Sequence, residues 1–202
     1  MPTLRSSPPS PFARKVIMAA AVAGIADAFT IVPADTNDAN DSLRKQNPLG
    51  KIPCLVLDDG TAIYDSRVII EWLDMQAGGN VLIPREPEAR LRALTFQALC
   101  DGLMDAAVVT RYEMVLREEP MRSARWLDQQ AGKIQRALQA MAEQAPVGRR
   151  DIASVALASA LGYLDLRFEG RWRAQYPGLV TWLDRFAAEV PAFEATRVKS
   201  PS

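Results

Sequence analysis

The first third of the chain alternates between strand-like and helix-like patterns of apolar and polar residues. Residues 2–5 predict a short strand, and residues 11–23 carry an Ala-rich helical pattern that begins at Pro11 and ends before Gly24. Residues 28–32, AFTIV, are rich in β-branched and aromatic side chains and predict a second strand. A strand–helix–strand opening predicts two parallel strands joined by a crossover helix.

The next apolar stretches predict a hairpin and then a helix. Polar residues 33–51 leave room for only a short helix, and residues 54–64 form two apolar runs around a turn at Asp59 and Gly60. From Asp65 onward the spacing becomes helical, with one side formed by Val68, Ile69, Trp72, Leu73 and Met75. Since the hairpin adds antiparallel edge strands to the parallel pair, this part of the chain has a thioredoxin-like layout.

The rest of the chain predicts helices only. Residues 78–90 contain the glycine and proline residues of a linker, and no strand pattern follows. The helical stretches are Glu88–Glu118, Met121–Gln144, Asp151–Phe168 and Leu179–Ala188. We therefore expect an α/β thioredoxin-like N-terminal domain at 1–78, a linker at 79–87 and an all-α C-terminal domain at 88–202.

Composition and charge exclude several classes of function. The chain has 24 basic and 24 acidic side chains, so its net charge is zero, which argues against a nucleic-acid partner. It has no histidine, which excludes a histidine general base, a histidine triad and a histidine-ligated metal. Its two cysteines, Cys54 and Cys100, have neither metal-binding nor disulfide spacing. We expect no metal cofactor.

The apolar segments do not predict targeting to a membrane. The chain begins without the apolar core of a secretory signal, and the apolar run at residues 16–29 is too short and too interrupted to span a bilayer. The expected location is cytoplasmic, with reduced thiols and no membrane partner.

Ser10 and Pro11 lie where the first helix is expected to begin. A helix cap accounts for both residues, because Ser10 would accept a hydrogen bond from a first-turn amide and Pro11 suits the first helical position. The same helix start also favours an anion such as a thiolate, to which the Ser10 hydroxyl would donate. One helix end can have both roles.

Two later pairs of residues also have a structural and a functional interpretation. A loop with a trans proline accounts for Ile52–Pro53, whereas a cis bond would turn the Ile52 amide and carbonyl outward to pair with an extended peptide. Asp65 and Ser66 would cap a helix, or Ser66 would help to hold a ligand carboxylate while Asp65 binds its ammonium group. Residues 151–154, DIAS, predict a helix cap.

Four stretches of the chain carry a family resemblance. They are SPFARKV (10–16), NPLGKIPCLVLDDG (47–60), AIYDS with IIEWLD (62–74) and DIASVALASALGYLD (151–165). In this order and spacing they resemble the cytosolic glutathione S-transferases, in their bacterial serine-type branches. The resemblance covers nearly the whole chain, and it implies glutathione as co-substrate, a homodimer and a role in detoxification.

By this resemblance, Ser10 takes the place of the serine that hydrogen-bonds the glutathione sulfur, with Phe12 among the glutathione-binding residues. The tetrad SPFA resembles a glutaredoxin-type active site that has lost both cysteines, so the enzyme would use the thiol of glutathione. Lowering a thiol pKa of about 8.5 by two units requires about 2.7 kcal/mol, and a charge-assisted hydrogen bond supplies about 1.5–3 kcal/mol. Ser6 and Ser7 lie close enough in sequence to be alternatives to Ser10.

The other motif residues would hold the rest of glutathione. The resemblance implies that Ile52, before a cis Pro53, pairs its backbone with the cysteinyl part, and that Lys51 lies near the glycyl carboxylate. It also implies that Asp65 and Ser66 hold the γ-glutamyl end.

A pocket for the second substrate is expected between the first loop and the long helix after the linker. Arg111 and Tyr112 have polar end groups on an apolar helix, so we expect them to line this pocket together with Phe12. Met104 and Val108 fit either the pocket or the helical core. The predicted function is conjugation of glutathione to a small hydrophobic electrophile. The alternatives are a glutathione-dependent disulfide or peroxide reductase, an isomerase or dehalogenase that uses glutathione, and a non-catalytic binding or adaptor protein.

Overall fold

In the part of the chain that the structure describes, all strands lie in the first third and form one mixed sheet. The structure is a computed structural model that describes residues 1–198. The strands β1 (Thr3–Ser6), β2 (Thr30–Pro33), β3 (Cys54–Val56) and β4 (Ala62–Ile63) are arranged in the order β2-β1-β3-β4. β1 is parallel to β2, while β3 is antiparallel to both β1 and β4. The predicted parallel pair and hairpin are confirmed, but only β4 of the hairpin lies at an edge.

Three helices accompany the sheet. They are α1 (Pro11–Val22), α2 (Leu43–Gln46) and α3 (Ser66–Gln76). α1 is the crossover between β1 and β2, and its small buried side chains, among them Ala13, Ala19 and Ala20, allow close packing on two sides. One side contacts α3, and the other contacts a helix of the second half of the chain. The start of α1 therefore lies at the junction of the two halves.

The connection between the two halves is fixed by hydrogen bonds. Gly78, Gly79 and Asn80 have positive φ angles of 89°, 77° and 63° and turn the chain after α3. The buried carboxylate of Asp74 in α3 then accepts hydrogen bonds from four successive amides, residues 80–83, at 2.6 to 3.2 Å. This connection lies within the predicted linker region.

The second half is helical, as predicted. It comprises α4 (Pro87–Leu116), α5 (Ala124–Gln144), α6 (Ile152–Phe168), α7 (Pro177–Glu189) and α8 (Ala192–Ala195). α5 begins later than the sequence predicts, because Glu119–Met121 forms a 3-10 turn and Ser123 caps the helix. The four-residue α8 was not predicted, since it is too short to show a periodic pattern. Residues 199–202 of the predicted C-terminal domain lie outside the described residues.

α4 has the length and composition of a membrane-spanning helix. Its most apolar window has a mean hydropathy of 1.2, but 56% of that window is buried inside the protein. The helix packs against α5 and α6, so its apolar character is accounted for by the core.

α6 is the central helix of the second half. Every residue from Ile152 to Leu164 is buried, as expected for a helix that is apolar on all sides. The predicted cap is confirmed: the Asp151 carboxylate accepts from the amides of Ala153 and Ser154, and the Ser154 hydroxyl oxygen accepts from the Asp151 amide. α6 packs against α4 on one side and α1 on the other, and thereby joins the two halves.

Candidate functional site

A cavity of about 590 Å³ lies between the two halves of the chain. Its walls come from the start of α1, the loop before β3, the start of α3, one face of α4 and the C-terminal part of α6. Nearly all of the residues predicted from the sequence meet here: Ser10, Phe12, Lys51, Ile52, Pro53, Asp65, Ser66, Val108, Arg111 and Tyr112.

Met104 is the exception, and its assignment to the pocket is wrong. Its side chain is fully buried in the hydrophobic core and does not line the cavity. Periodicity could not separate Met104 from Val108, because α4 packs against other helices and also borders the cavity.

Ser10 caps α1 and also borders the cavity. Its Oγ accepts a hydrogen bond from the Ala13 amide at 3.2 Å, and its own amide donates to the Ser7 carbonyl at 2.9 Å. Because Oγ acts as an acceptor in the cap, the hydroxyl hydrogen is available to donate to a ligand. Ser7 also lines the cavity, whereas Ser6 is buried in β1 and does not.

The first turn of α1 leaves one amide for a ligand. Pro11 has no N–H, the Ala13 amide donates to Ser10 Oγ, and the Arg14 amide donates to the Ser10 carbonyl at 3.0 Å. The Phe12 amide has no acceptor within residues 1–198. A helix start with a free amide and a hydroxyl donor favours an anion.

α6 holds this turn in place. The Ser159 hydroxyl donates to the Pro11 carbonyl at 2.6 Å in a buried contact. The next turn of α6 has Gly162, where a Cβ would collide with the guanidinium of Arg14. A contact between two parts of the chain 148 residues apart thus positions the helix start.

The Ile52–Pro53 bond is cis, as the resemblance implied. Within the described residues, the Ile52 amide and carbonyl take part in no backbone hydrogen bond, which leaves both for an extended ligand. Asn47, which sequence reasoning missed, fixes the preceding loop by donating to the Lys51 carbonyl at 2.8 Å and accepting from the Leu49 amide at 3.0 Å. Its position in the stretch NPLGK is typical of an Asx turn.

Asp65 caps α3, and Ser66 is the first residue of that helix. The Asp65 carboxylate accepts from the Arg67 amide at 2.9 Å and pairs with its guanidinium at 2.8 Å. Partial burial acts to raise the pKa of Asp65, but the hydrogen bonds from Arg67 outweigh it and hold the pKa below its ordinary value. The carboxylate is about half exposed, at 53%, so it remains accessible to a ligand cation. The Tyr64–Asp65 bond is also cis.

A buried ion pair lies beneath the site. Lys15 of α1 is fully buried, and its Nζ lies 2.5 Å from Oδ1 of Asp101 in α4, which borders the cavity. Burial lowers the pKa of Lys15 and raises that of Asp101, while the pairing opposes both shifts. Sequence reasoning missed this pair, because no local pattern brings two residues 86 positions apart together.

The cavity is also bordered where α4 faces α6, by Val108, Arg111 and Tyr112 of α4 and by Tyr163 and Arg167 of α6. Burial raises the pKa of Tyr163, and the charges of Arg167 and Arg111 oppose this shift. The α6 residues were not predicted from the sequence, although their spacing of four positions places them on one helix face. Within residues 1–198 no cluster of three or more acidic or cysteine side chains is arranged to hold a metal ion.

The chain matches two family models, described as the N-terminal domain of glutathione S-transferase over residues 9–76 and its C-terminal domain over residues 124–185. The chain belongs to the glutathione S-transferase family. This membership confirms the resemblance to the glutathione S-transferases and the predicted fold class, while the serine-type branch stays a prediction.

Two relatives illustrate the similarity, one of them in two structures. An uncharacterised glutathione S-transferase-like protein of Escherichia coli K12, YibF, is 32% identical over 177 residues, which cover 85% of this chain and 86% of YibF. A glutathione transferase family member from Pseudomonas fluorescens Pf-5, solved with bound glutathione, is 41% identical, covers all of both chains and has a TM-score of 0.92. A second structure of that Pseudomonas fluorescens protein, with bound S-(propanoic acid)-glutathione, aligns at 40% identity, again covers all of both chains and has a TM-score of 0.88.

Proposed function

We propose that this protein is a serine-type glutathione transferase, in which Ser10 stabilises the thiolate of bound glutathione for attack on an electrophile. The observation that carries the proposal is the geometry at the start of α1. The Ser10 oxygen is engaged in the helix cap while its hydrogen is free to donate, and the Phe12 amide beside it has no acceptor within the described residues. Both groups border the same cavity.

The rest of the cavity suits the remainder of glutathione. The open backbone of Ile52 would pair with the cysteinyl part, while the exposed Lys51 would lie near the glycyl carboxylate. Asp65 and Ser66, at the start of α3, would hold the γ-glutamyl ammonium and carboxylate groups. The solved relative with bound glutathione, at 41% identity over the full chain, supports this ligand.

In the proposed reaction the glutathione thiol first loses its proton to water. The thiolate sulfur then forms a bond to the electrophilic carbon, and a leaving group departs with the bonding electron pair. The hydrogen bond from Ser10 and the start of α1 stabilise the anion, so no histidine is needed as a base. The relative that binds S-(propanoic acid)-glutathione, which is a thioether of glutathione, supports a product of this kind.

The protein's own thiols do not favour the reductase alternative. Cys54 and Cys100 are both buried, and burial raises the pKa of each thiol, so neither is placed to form a mixed disulfide with a substrate. A reductase would then have to use the same activated glutathione at Ser10. The homodimer, the cytoplasmic location and the role in detoxification stay predictions.

The test is conjugation of glutathione to 1-chloro-2,4-dinitrobenzene, measured in parallel with reduction of 2-hydroxyethyl disulfide. We expect conjugation by the wild-type protein and a loss of at least about tenfold in kcat/KM for Ser10→Ala, since one charge-assisted hydrogen bond is removed. Ser7→Ala is the matched variant, because Ser7 borders the cavity from the same loop. Full activity in Ser10→Ala would contradict the proposal, and a loss confined to Ser7→Ala would transfer the role to Ser7.

A further inference from the structure

Two arginines that border the cavity, one on α4 and one on α6, have no acidic partner within the described residues. Arg111 and Arg167 take part in none of the ion pairs found within residues 1–198. Both side chains border the cavity, so an anionic group of a ligand would supply the missing partner.

The acidic residues of the cavity lie nearer to the glutathione end. Asp65 is paired with Arg67 and Asp101 with Lys15, while Asp105 makes no ion pair within residues 1–198. Burial raises the pKa of Asp105, and the charges of Lys51 and Arg67 oppose this shift. Along α4, Arg111 lies six residues beyond Asp105, which corresponds to about 9 Å of helix. The cavity is therefore polarised, with unbalanced positive charge at the α4–α6 end.

The groups around the two arginines complete a binding surface for an anion with an apolar body. Tyr112 and Tyr163 also border this end, and their hydroxyl groups are hydrogen-bond donors. Tyr163 precedes Arg167 by one helical turn, so both side chains are on the same face of α6. Val108 and Val109 of α4 add apolar surface to the same cavity.

We propose that the second substrate carries a carboxylate, which Arg111 and Arg167 bind at the α4–α6 end of the cavity while the electrophilic carbon lies towards Ser10. The proposal rests on the proposed function and specifies its substrate class. A planar guanidinium matches the two oxygens of a carboxylate, and two of them facing one cavity would neutralise it. Val108 and Val109 would contact the apolar body between the carboxylate and the reacting carbon.

The probe is a matched pair of electrophiles, 4-chloro-3-nitrobenzoate and 4-chloro-3-nitrobenzamide. In both, the glutathione sulfur bonds to the ring carbon that carries chlorine, chloride leaves with the electron pair, and the thiol proton goes to water. The two compounds differ only in the group opposite the chlorine, which is an anionic carboxylate in one and a neutral carboxamide of similar size in the other. Each kcat/KM is divided by the rate of the uncatalysed reaction with glutathione, which removes the difference in intrinsic reactivity.

We expect the wild-type protein to prefer the benzoate by about tenfold, the effect of one charge-assisted contact of about 1.4 kcal/mol. Arg111→Gln and Arg167→Gln should each reduce this preference, and the double variant should remove it, with glutathione affinity unchanged. Arg167→Lys should retain part of the preference, because lysine keeps the positive charge but lacks the planar guanidinium that matches both oxygens of a carboxylate. Arg92→Gln is the control, since Arg92 lies on α4 but is exposed and outside the cavity.

The affinities of the two thioether products, measured by calorimetry on the same variants, provide a readout that does not depend on turnover. No conjugation of either probe would count against the proposed function, and the product affinities would then still decide the substrate class. The inference would be overturned if the wild-type protein showed equal corrected kcat/KM values for the two probes and equal affinities for their products. So would a preference that persists in the double variant, provided that the variant binds glutathione normally.

Discussion

At the scale of single residues, the site uses groups that also terminate helices. Ser10 caps α1 and Asp65 caps α3. The hydroxyl hydrogen of Ser10 and the half-exposed carboxylate of Asp65 remain available to a ligand in the cavity. Structural and chemical roles coincide because a helix start already provides free amides and partial positive charge. A substitution that keeps the cap can therefore separate the two roles.

Asp65→Asn is such a substitution, because asparagine caps helices as well as aspartate does. We expect glutathione affinity measured by calorimetry to fall about tenfold, which is about 1.4 kcal/mol for a lost ionic contact, with little change in the thermal melting temperature. Asp128→Asn, an exposed acid on α5 outside the cavity, is the control. Unchanged affinity in Asp65→Asn would show that the γ-glutamyl end binds elsewhere.

The lowered pKa of Asp65 predicts how binding depends on pH. An acid whose pKa lies below its ordinary value of about 3.9 stays ionised throughout the range from pH 5 to pH 8. The affinity for S-methylglutathione, which has no titrating thiol, should therefore be constant across that range and decrease only at more acidic pH. A decrease between pH 5 and pH 7 would mean that a carboxylate with a raised pKa controls binding.

At the scale of secondary-structure elements, local signals predicted where helices begin, and tertiary packing determined which side faces the cavity. The caps at Ser10, Asp65 and Asp151 were visible because each involves only neighbouring residues. Whether Met104 or Val108 faces the cavity depends on the position of α6, which no pattern within α4 contains. The meeting of Arg167 with Arg111 was unpredictable for the same reason.

The cap of α6 gives a prediction at this scale. Asp151→Ala removes the acceptor for two amides, and we expect the free energy of unfolding in urea to fall by about 1 kcal/mol. Asp151→Asn should retain most of the stability, since asparagine also accepts from these amides. Equal losses in the two variants would indicate that the charge of Asp151, rather than its role as an acceptor, matters.

At the scale of the whole molecule, the site depends on how the two halves of the chain are held together. Ser159 and Gly162 of α6 fix the start of α1, and the buried Lys15–Asp101 pair joins α1 to α4 beneath the cavity. These contacts join residues up to 148 positions apart in sequence. Local motifs therefore predicted the residues that border the cavity better than the residues that hold the cavity walls in place. The family resemblance predicted the fold, whereas the packing between the two halves was visible only in the structure.

The buried pair provides a test of this connection. Lys15→Met leaves the Asp101 carboxylate buried without a partner, and we expect a loss of about 3–5 kcal/mol in the free energy of unfolding. The double variant Lys15→Met/Asp101→Leu should recover most of that loss. Arg90→Met is the matched control: it breaks the exposed Arg90–Glu71 pair between α4 and α3, and we expect a loss of less than about 1 kcal/mol. Similar losses in Lys15→Met and Arg90→Met would contradict a special role for the buried pair.

The most direct test of thiolate activation is a pH titration of the ultraviolet absorbance of the bound glutathione thiolate, in the wild-type protein and in Ser10→Ala. We predict a thiol pKa about two units below its ordinary value of about 8.5 in the wild-type protein, and a return towards that value in Ser10→Ala. The same depressed pKa in both proteins would contradict the role of Ser10. An unshifted thiol in the wild-type protein would contradict activation of glutathione altogether.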